Sequence, residues 1–480
     1  MVCANDNCGE ESTSDVSDEV NDKDSPKDGK KNKSKKKKKK RKSRTTGKYS
    51  FDDYKSAPTN ILEPGGDLKP GCVCPRCHKG KLYKGEPRKL LHFLAQAPIQ
   101  VSRYLKDVLR CNFCQYEFMS SKKIIKWDKT AKSMISLYKS FGMPFHRLAE
   151  LSRQCGVPIA PSTLWMQVKE LCDDSIQHVF NELLITAANC QTFYADDTGA
   201  TILEVKELNK TLPEKEQRAC HTSVIITETA DANQIGLFFT ANKHCGENLA
   251  ALLMLRTTSA PAIIHLMSDA SSCNVPKLDI DVVIEFFKCL AHARRKFYEI
   301  RQYYPKECEY FLNEIAQIYI NEDECKKLGY KDEVRLQYHV QNSTKHIDNI
   351  YAKIAELYDN KLIEPNSTLG RAMNYWLNHR DGLTKFLYVA GVALDNNISE
   401  QRLRFMIMQR KNSFFFKTLN SAKILSCISS IASTCDLNGV SAFDYLNWLQ
   451  DNEREVQKNP AEFMPWSYRK YLAQTEFIAA

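Results

Sequence analysis

The stretch "TFYADDTGATILEV", residues 192–205, marks the point where the sequence changes from helical to strand periodicity. Two more β-rich runs follow, "HTSVIITETA" at 221–230 and "IGLFFTAN" at 235–242, each bounded by polar residues. Branched and aromatic residues in short runs between polar turns are typical of strands. Next come a helical segment ("GENLAALLMLRTT"), an apolar strand ("PAIIHLMSDA") and a strand that leads into a basic helix ("IDVVIEFFKCLAHARRKFYEI"). Three strands followed by alternating strands and helices predict a mixed α/β sheet.

The segment before this sheet, residues 130–185, is predicted to be helical. It contains "FHRLAELSRQCGVPIAPSTLWMQVKEL", which breaks at Gly156 and Pro158 and restarts after Pro161. The apolar residues on the two helices recur at helical spacing: Phe145, Leu148 and Leu151, then Leu164, Val168 and Leu171. This pattern of helix, turn and helix fits a DNA-reading helix-turn-helix or a plain helical hairpin equally well.

Residues from about 297 to 390 have helical periodicity and few strand signals. We therefore expect an α/β domain over 190–418 that carries an all-helical insertion at about 297–390. A further helical segment is expected at 419–460.

The composition limits the possible classes of protein. The 480 residues are expected to form two to four structural units. The sequence contains no run of about 18 apolar residues, so no transmembrane helix is predicted. The polar start "MVCANDNCGE" argues against secretion. The formal net charge of +10 favours polyanionic partners. A cytoplasmic protein without a membrane partner is the expectation.

Residues 1–60 lack hydrophobic periodicity. Their first part is acidic, and the run "KKNKSKKKKKKRKSR" follows at 30–44. Such a segment cannot bury a core, so we expect a disordered tail. The lysine-rich run fits a tether to nucleic-acid phosphates or a solvated linker.

Cysteines suggest a metal site at residues 70–118. Two C-x2-C pairs occur there, namely Cys74 with Cys77 and Cys111 with Cys114. Four such thiolates can hold one tetrahedral Zn²⁺, which predicts a zinc ribbon with Cys72 as a spare or alternative ligand. The basic and aromatic residues around the pairs suit contact with nucleic acid. Single cysteines elsewhere are expected to be small buried apolar side chains: Cys155, Cys172, Cys190, Cys220, Cys289, Cys427 and Cys435.

Three carboxylates fall at positions where an α/β sheet forms sites. Asp196 is expected at the end of the first strand and Asp269 at the end of a later strand. Glu400 lies near the start of a helix, with Asp395 and Asn396 before it as expected caps. If the three carboxylates converge, they could hold two Mg²⁺ ions, which clamp the attacking and leaving oxygens of a phosphoryl displacement. By spacing alone, a strand-end aspartate is more often a cap or a turn residue than a metal ligand.

The residues around these acids resemble a known family. "YADDT", "CLAHARRKF" and "LDNNISEQRLRFMIMQRKNSFFF" together resemble the DDE transposases of the insertion-sequence-66 family. The third block, D-N-N-x-x-E followed by an arginine-rich helix and R-K-N, is the most specific. The resemblance extends over most of the chain, including both C-x2-C pairs and the C-terminal "TCDLNGVSAFDYLNWL".

This resemblance implies an RNase H-like catalytic core with a helical insertion before the last acid. It implies Asp196, Asp269 and Glu400 as ligands of Mg²⁺ or Mn²⁺, and DNA cleavage followed by strand transfer. It further implies terminal inverted repeats and target DNA as substrates, a homo-oligomer on DNA, accessory proteins of the same element, and a location at the bacterial nucleoid. Asp197 stands where the family usually has Glu, so Asp197 is an alternative to Asp196 as the first ligand.

The helix that carries Glu400 is expected to dock on the sheet through Leu403 and Ile407. Its polar residues are expected to bind DNA: Arg402, Arg404, Arg410, Lys411 and Asn412. The three phenylalanines at 414–416 could pack in the core or stack on bases. His292 and Arg295 follow a strand and fit either the DNA path or a structural role.

Three other functions remain compatible with the sequence. A catalytically decayed copy would act only as a zinc-dependent DNA-binding protein. An RNase H-like nuclease would cut DNA without joining it. A structural zinc protein with a basic tail would leave the "DNNISEQRLR" block unexplained.

Overall fold

The computed structural model describes residues 52, 70–74, 76–82, 98–105, 108–110, 117–119, 124–269, 272–278 and 282–479. The chain divides into two units, 1–95 and 96–480. Apart from residue 52, the predicted tail at 1–60 lies outside the described residues, as do Cys111 and Cys114.

The first unit contains the loop that carries the first cysteine pair. Val73 and Lys81 form an antiparallel bridge across it, and the Cys74 N–H donates to the Gly80 carbonyl at 2.7 Å. Backbone N–H groups of Lys79 and Gly80 donate to the Cys77 thiol and lower its pKa. Such donors favour the thiolate, which is the form of cysteine that binds metals.

Strands and helices of the second unit alternate as expected for a mixed α/β protein. A short hairpin pairs β1 (Val108–Arg110) with β2 (Glu117–Met119). The central sheet has the order β5-β4-β3-β6-β7. Its strands are β3 (Thr192–Ala200), β4 (Cys220–Glu228), β5 (Gln234–Ala241), β6 (Ile263–Ser268) and β7 (Val283–Lys288).

The first three strands of this sheet form an antiparallel meander. The strands β6 and β7 then add in parallel on the other side of β3. This arrangement brings the end of β6 beside the middle of the sheet.

The helices lie before, within and after the sheet strands. Their bounds are α1 (Lys129–Ser140), α2 (Phe145–Gln154), α3 (Pro161–Leu171), α4 (Gln177–Ala188), α5 (Leu203–Asn209), α6 (Cys245–Leu253), α7 (Leu290–Ile300), α8 (Pro305–Leu328), α9 (Asp332–Asp359), α10 (Thr368–Asn378), α11 (Arg380–Thr384), α12 (Asn397–Ser413), α13 (Leu419–Leu437), α14 (Ala442–Asp451), α15 (Glu453–Lys458) and α16 (Pro465–Ala479). No described helix is long and apolar enough to cross a bilayer.

Helix α13 covers the open edge of the sheet at β5. Hydroxyl groups one helical turn apart accept hydrogen bonds from the strand: Ser430 Oγ from Phe238 N at 2.8 Å and Ser426 Oγ from Thr240 N at 3.1 Å. Thr434 Oγ1 accepts from Gly236 N at 3.1 Å. An edge strand exposes unpaired N–H groups, and these hydroxyls satisfy them without a further strand.

Helix α12 packs on β3 and β4, as its apolar stripe predicts. Leu403 is buried against Val224 and Phe238, and Ile407 is half-buried in the same cluster. Helices α8 to α11 fill residues 305–384, within the range where the sequence predicts a helical insertion. It has a separate core, in which Phe297 stacks on Phe311 beside Trp376.

The segment at 130–185 is helical and contains the expected helix, turn and helix. Gly156 has φ +80° in the turn, a conformation that favours glycine. Leu148 and Leu164 are fully buried, whereas Leu151 is 36% exposed. A role in reading DNA stays a prediction.

Three local predictions also need correction. Asp196 is the fifth of nine residues in β3 rather than its end, because hydrogen bonding to β4 continues to Ala200. The "TILEV" residues leave the sheet and begin α5. Among the single cysteines, Cys155 is exposed, whereas the other six are buried.

Candidate active site

Three carboxylates from separate elements approach the same region of the sheet. Asp196 lies in the central strand β3, and Asp269 directly follows the neighbouring strand β6. Glu400 lies in the first turn of α12. Asp196 is directly opposite Val224, whose side chain packs against Leu403 of α12, so the Asp196 side chain faces that helix.

The electrostatics of Asp196 reflect this convergence. Burial raises the pKa of Asp196 to about 7, and the negative charges of Asp269 and Glu400 add to the rise. A hydrogen bond from Asp197 N to Asp196 Oδ1, 2.9 Å long, offsets part of this effect. The first acid therefore lies in a pocket with an excess of negative charge.

Asp197 is directed to the other face of the sheet, since successive strand residues alternate. Its Oδ2 atom lies 3.2 Å from His244 Nδ1 and 3.3 Å from the backbone N of Cys245, at the start of α6. The geometry groups Asp196, rather than Asp197, with the other two acids.

Asp269 is held by groups that the sequence did not reveal as partners. Asn274 Nδ2 donates to Asp269 Oδ1 at 2.7 Å, and Lys288 Nζ donates to the Asp269 carbonyl at 3.2 Å. Both partners follow in the chain, one in the loop after β6 and one at the end of β7. Only the pairing of β6 with β7 brings Lys288 to this point.

Asn396 connects the helix of the third acid to the strand of the first. It is fully buried, and its Nδ2 donates to the carbonyl of Ala195 at 2.9 Å. It occupies the N-cap position of α12, as expected, but its side chain makes no capping hydrogen bond. Asp395 performs the capping instead, because its Oδ1 accepts from Asn397 N at 3.1 Å.

Two basic groups and one thiol surround Glu400. His292 Nδ1 lies 3.6 Å from Glu400 Oε1, and Arg295 Nη2 lies 3.8 Å from Glu400 Oε2. Ligand atoms of Cys289, His292 and Glu400 all lie within 4.8 Å of one another. Cys289 is buried in an apolar cluster, as expected, and it also borders this polar site, where it accepts a hydrogen bond from Asn396 N at 3.3 Å.

The donor set fits a divalent cation. Three buried oxygen atoms around the acids lack a hydrogen-bond partner among the described residues: Glu400 Oε1, Asn396 Oδ1 and Asn274 Oδ1. Buried polar atoms in folded proteins are almost always paired, so such a group requires an explanation. Carboxylate and amide oxygens are the ligands that Mg²⁺ and Mn²⁺ prefer.

The basic residues of α12 differ in how they are used. Arg402 forms an ion pair with Asp436 of α13, and Arg410 Nη1 donates to Thr198 Oγ1 at 3.0 Å. Arg404 and Lys411 are exposed, and neither has an ion pair in the part of the chain that the structure describes. Asn412 is half-buried at the same end of the helix. Their roles in binding DNA stay predictions.

Comparison with known proteins identifies the family of this chain. The family described as "Transposase IS66 family" matches residues 125–424, a range that contains all three acids. The uncharacterized protein y4hP of Sinorhizobium fredii is 24% identical over 464 residues, which cover 89% of this chain and 79% of that protein. Two further uncharacterized proteins of the same organism, y4qI and y4jD, are each 28% identical over 39% and 38% of this chain, and over 34% and 35% of their own lengths. The family match covers more than half of the sequence, and the chain therefore belongs to the IS66 family of transposases.

Proposed function

We propose that this protein is a DNA transposase that cleaves DNA strands and joins them to target DNA. Its catalytic ligands are Asp196, Asp269 and Glu400, which would hold Mg²⁺ or Mn²⁺. The observation that carries the proposal is the convergence of these acids around buried oxygen atoms that have no hydrogen-bond partner among the described residues. The strand order, with an antiparallel meander and two added parallel strands, supports an RNase H-like core.

The chain prepares the site in several ways. Bound metal ions would supply an activated water and would stabilise charge on the phosphate oxygens. Asn274 orients the Asp269 carboxylate, and Asn396 fixes the start of α12 against β3. Asp196 is deprotonated above about pH 7, which makes both of its oxygens available to a cation. Arg404 and Lys411 offer exposed charges to the DNA backbone.

Other parts of the chain would bind the DNA. Cys74 and Cys77 are expected to hold Zn²⁺ together with Cys111 and Cys114, and the lowered pKa of Cys77 supports this assignment. The helix, turn and helix at 145–171 would contact the terminal inverted repeats. Joining two element ends to one target requires a homo-oligomer on DNA, with accessory proteins of the element as further partners. The protein would act at the nucleoid.

The test is a cleavage and joining assay on labelled DNA that carries the element's own ends, with Mg²⁺ and with the accessory proteins supplied. Wild type should give cut and joined products, and Glu400→Gln should give neither while still binding DNA. Glu299→Gln removes an exposed carboxylate on α7 and serves as the matched control. Binding without cleavage by the wild type would indicate a decayed copy, and cutting without joining would indicate a nuclease.

A further inference from the structure

The last residues of α12 contain a strained backbone. Phe414 has φ +62° and ψ −40°, which a residue with a bulky side chain rarely adopts. The N–H of Phe415 donates to the carbonyl of Ser413 at 2.7 Å, closing a γ-turn around Phe414. A γ-turn with positive φ is rare and strained.

Hydrogen bonds on both sides hold this turn in place. Before it, Phe414 N donates to the Arg410 carbonyl at 2.8 Å. After it, Phe416 N donates to Thr201 O at 2.8 Å and Leu203 N donates to Phe416 O at 2.9 Å, which ties the segment to the residues after β3. Strain of this kind persists where the surroundings enforce it, and it is concentrated at functional sites.

The turn directs aromatic side chains to the surface. Phe414 is 70% exposed and Phe415 is 49% exposed, whereas Phe416 packs in the core. Burying a phenylalanine ring stabilises a fold, so a strained turn that keeps Phe414 in water does not serve folding. It instead suggests that the ring binds a partner.

The exposed side of α12 continues this surface. Phe405 and Met408 are exposed there, and Phe141 of the α1 end contacts Phe405 edge-to-face with ring centroids 5.8 Å apart. Arg404 and Lys411 lie on the same side of the helix, because residues three, four and seven apart share a face. The aromatic–basic face consists of Arg404, Phe405, Met408 and Lys411, and the exposed rings of Phe414 and Phe415 follow it at the end of the helix.

We propose that the aromatic–basic face binds unpaired DNA, with a base stacked on the Phe414 ring. Exposed aromatic rings close to unpaired cations are the arrangement that holds single strands, since rings stack on bases and cations follow the backbone. This proposal rests on the proposed function and deepens it. Phe414 lies about 21 Å along the helix from Glu400 at about 1.5 Å per residue. That distance corresponds to about six nucleotides at about 3.4 Å each, so the unpaired segment would lie about that far from the cleaved bond.

The charge on this face favours DNA over a second copy of the chain. Two copies that met through this face would bring Arg404 and Lys411 against the same cations of the partner, as a two-fold interface requires. A polyanion with flat bases matches both the cations and the rings.

The test uses an oligothymidylate of about 20 nucleotides that contains one 2-aminopurine. Quenching of its fluorescence reports stacking, and contact with the lysine-rich tail does not produce it. Phe414→Gly removes both the ring and the strain, and Phe414→Trp keeps an aromatic ring. Tyr303→Ala is the matched control, since Tyr303 is 77% exposed between α7 and α8.

Wild type, Phe414→Trp and Tyr303→Ala should quench the probe with similar midpoints. Phe414→Gly should need about tenfold more protein, as expected for one lost stacking contact. Its thermal unfolding temperature should not fall, because glycine adopts positive φ without strain. The proposal would be overturned if Phe414→Gly quenched the probe at the same protein concentration as wild type. It would also be overturned if the wild-type protein formed a dimer that Phe414→Gly dissociated. The assay contains no Mg²⁺ and scores no cleavage, so its outcome does not depend on the catalytic assignment.

Discussion

Glu322 in the helical insertion and Asp196 in the central sheet are both carboxylates held largely away from water, yet their pKa values move in opposite directions. Burial alone would raise the pKa of Glu322, but hydrogen bonds from His339 and Arg335 outweigh burial and lower it to about 2. Arg335 Nε and His339 Nε2 lie 2.8 Å and 2.9 Å from Glu322 Oε2. Burial and two neighbouring acids raise the pKa of Asp196 to about 7.

The difference separates a structural charge cluster from one that needs a ligand. The cluster around Glu322 supplies its own cations, and Arg335 also donates to the Val392 carbonyl at 2.7 Å, which fixes the loop before α12. The cluster around Asp196 combines three acids with Lys288 beside Asp269 and with His292 and Arg295 beside Glu400. A folded protein tolerates such an excess of negative charge where a cation binds.

The largest expected effect is the loss of cleavage on removing Asp196. Asp196→Asn should lower the rate of strand cleavage by about 10³-fold or more, because a ligand that stabilises the transition state is lost. Asp197→Asn serves as the neighbouring control, since Asp197 is directed toward α6. We expect it to keep cleavage within about tenfold of wild type. The reverse order, measured in the same cleavage assay, would assign the first ligand to Asp197.

The next effect concerns the insertion. Arg335→Ala should lower the free energy of unfolding by about 3 kcal/mol, because it leaves Glu322 as a buried charge without its strongest partner. Lys326→Ala removes an exposed partner of Glu322 and should cost less than about 1 kcal/mol. Chemical denaturation of both variants measures the difference. If Arg335→Ala and Lys326→Ala had equal free energies of unfolding, the Glu322 cluster would contribute little to the stability of the fold.

The pH dependence of stability should have opposite signs in the two clusters. The folded-state pKa of Asp196 is raised from 3.8 to about 7, so its favourable contribution is present below pH 3.8 and is lost as pH rises through 7. Asp196→Asn should therefore stabilise the metal-free protein by about 2 kcal/mol at pH 8 and leave it unchanged near pH 4.

Thermal unfolding in a chelator at both pH values measures this effect. Adding Mg²⁺ should then stabilise wild type more than the variant, since the cation removes the repulsion among the acids. For Glu322 the pKa is lowered, so its contribution is present above about pH 4.5 and is lost as pH falls toward 2. Destabilisation by Asp196→Asn at pH 8 without metal would contradict the comparison.

The smallest expected effect is on the salt dependence of DNA binding, and it should distinguish the paired Arg402 of α12 from the unpaired Arg404. The logarithm of the DNA-binding constant falls linearly with the logarithm of the salt concentration. Arg404→Ala should make this slope less steep by about 0.9, the value expected for one lost phosphate contact. Arg402→Ala should leave that slope unchanged, because Arg402 is engaged with Asp436. Titrations of one DNA duplex at several salt concentrations give both slopes. A change for Arg402 alone would assign the phosphate contact to the paired arginine.

Much of the fold was predictable because it depends on local patterns. The strands, the helical insertion and the docking of α12 through Leu403 follow from apolar periodicity, which reflects which side of an element is buried. Asp269 at a strand end and Glu400 at a helix start were also correct. Asp196 was expected at a strand end because polar residues follow it, but pairing with β4 extends the strand to Ala200.

The partners of the acids were beyond the reach of sequence reasoning. Lys288 approaches Asp269 through the pairing of two strands, and Asn396 bonds to Ala195 about 200 positions away in the chain. The γ-turn at Phe414 is enforced by hydrogen bonds to the residues after β3. None of these contacts produces a local signal, because each depends on elements that are distant in the sequence.

The sequence by itself determined the mixed α/β class and the helical character of the insertion, since both are encoded in residues adjacent along the chain. Through a family resemblance it also predicted the three acids, with Asp197 left as an alternative to Asp196. Only the tertiary structure decided that Asp196 rather than Asp197 faces α12, and that Arg402 is paired whereas Arg404 is exposed. It also decided that Phe414 lies at the surface. The physical reason is that the direction and pairing of a side chain depend on which distant elements pack against it, and periodicity carries no record of that packing.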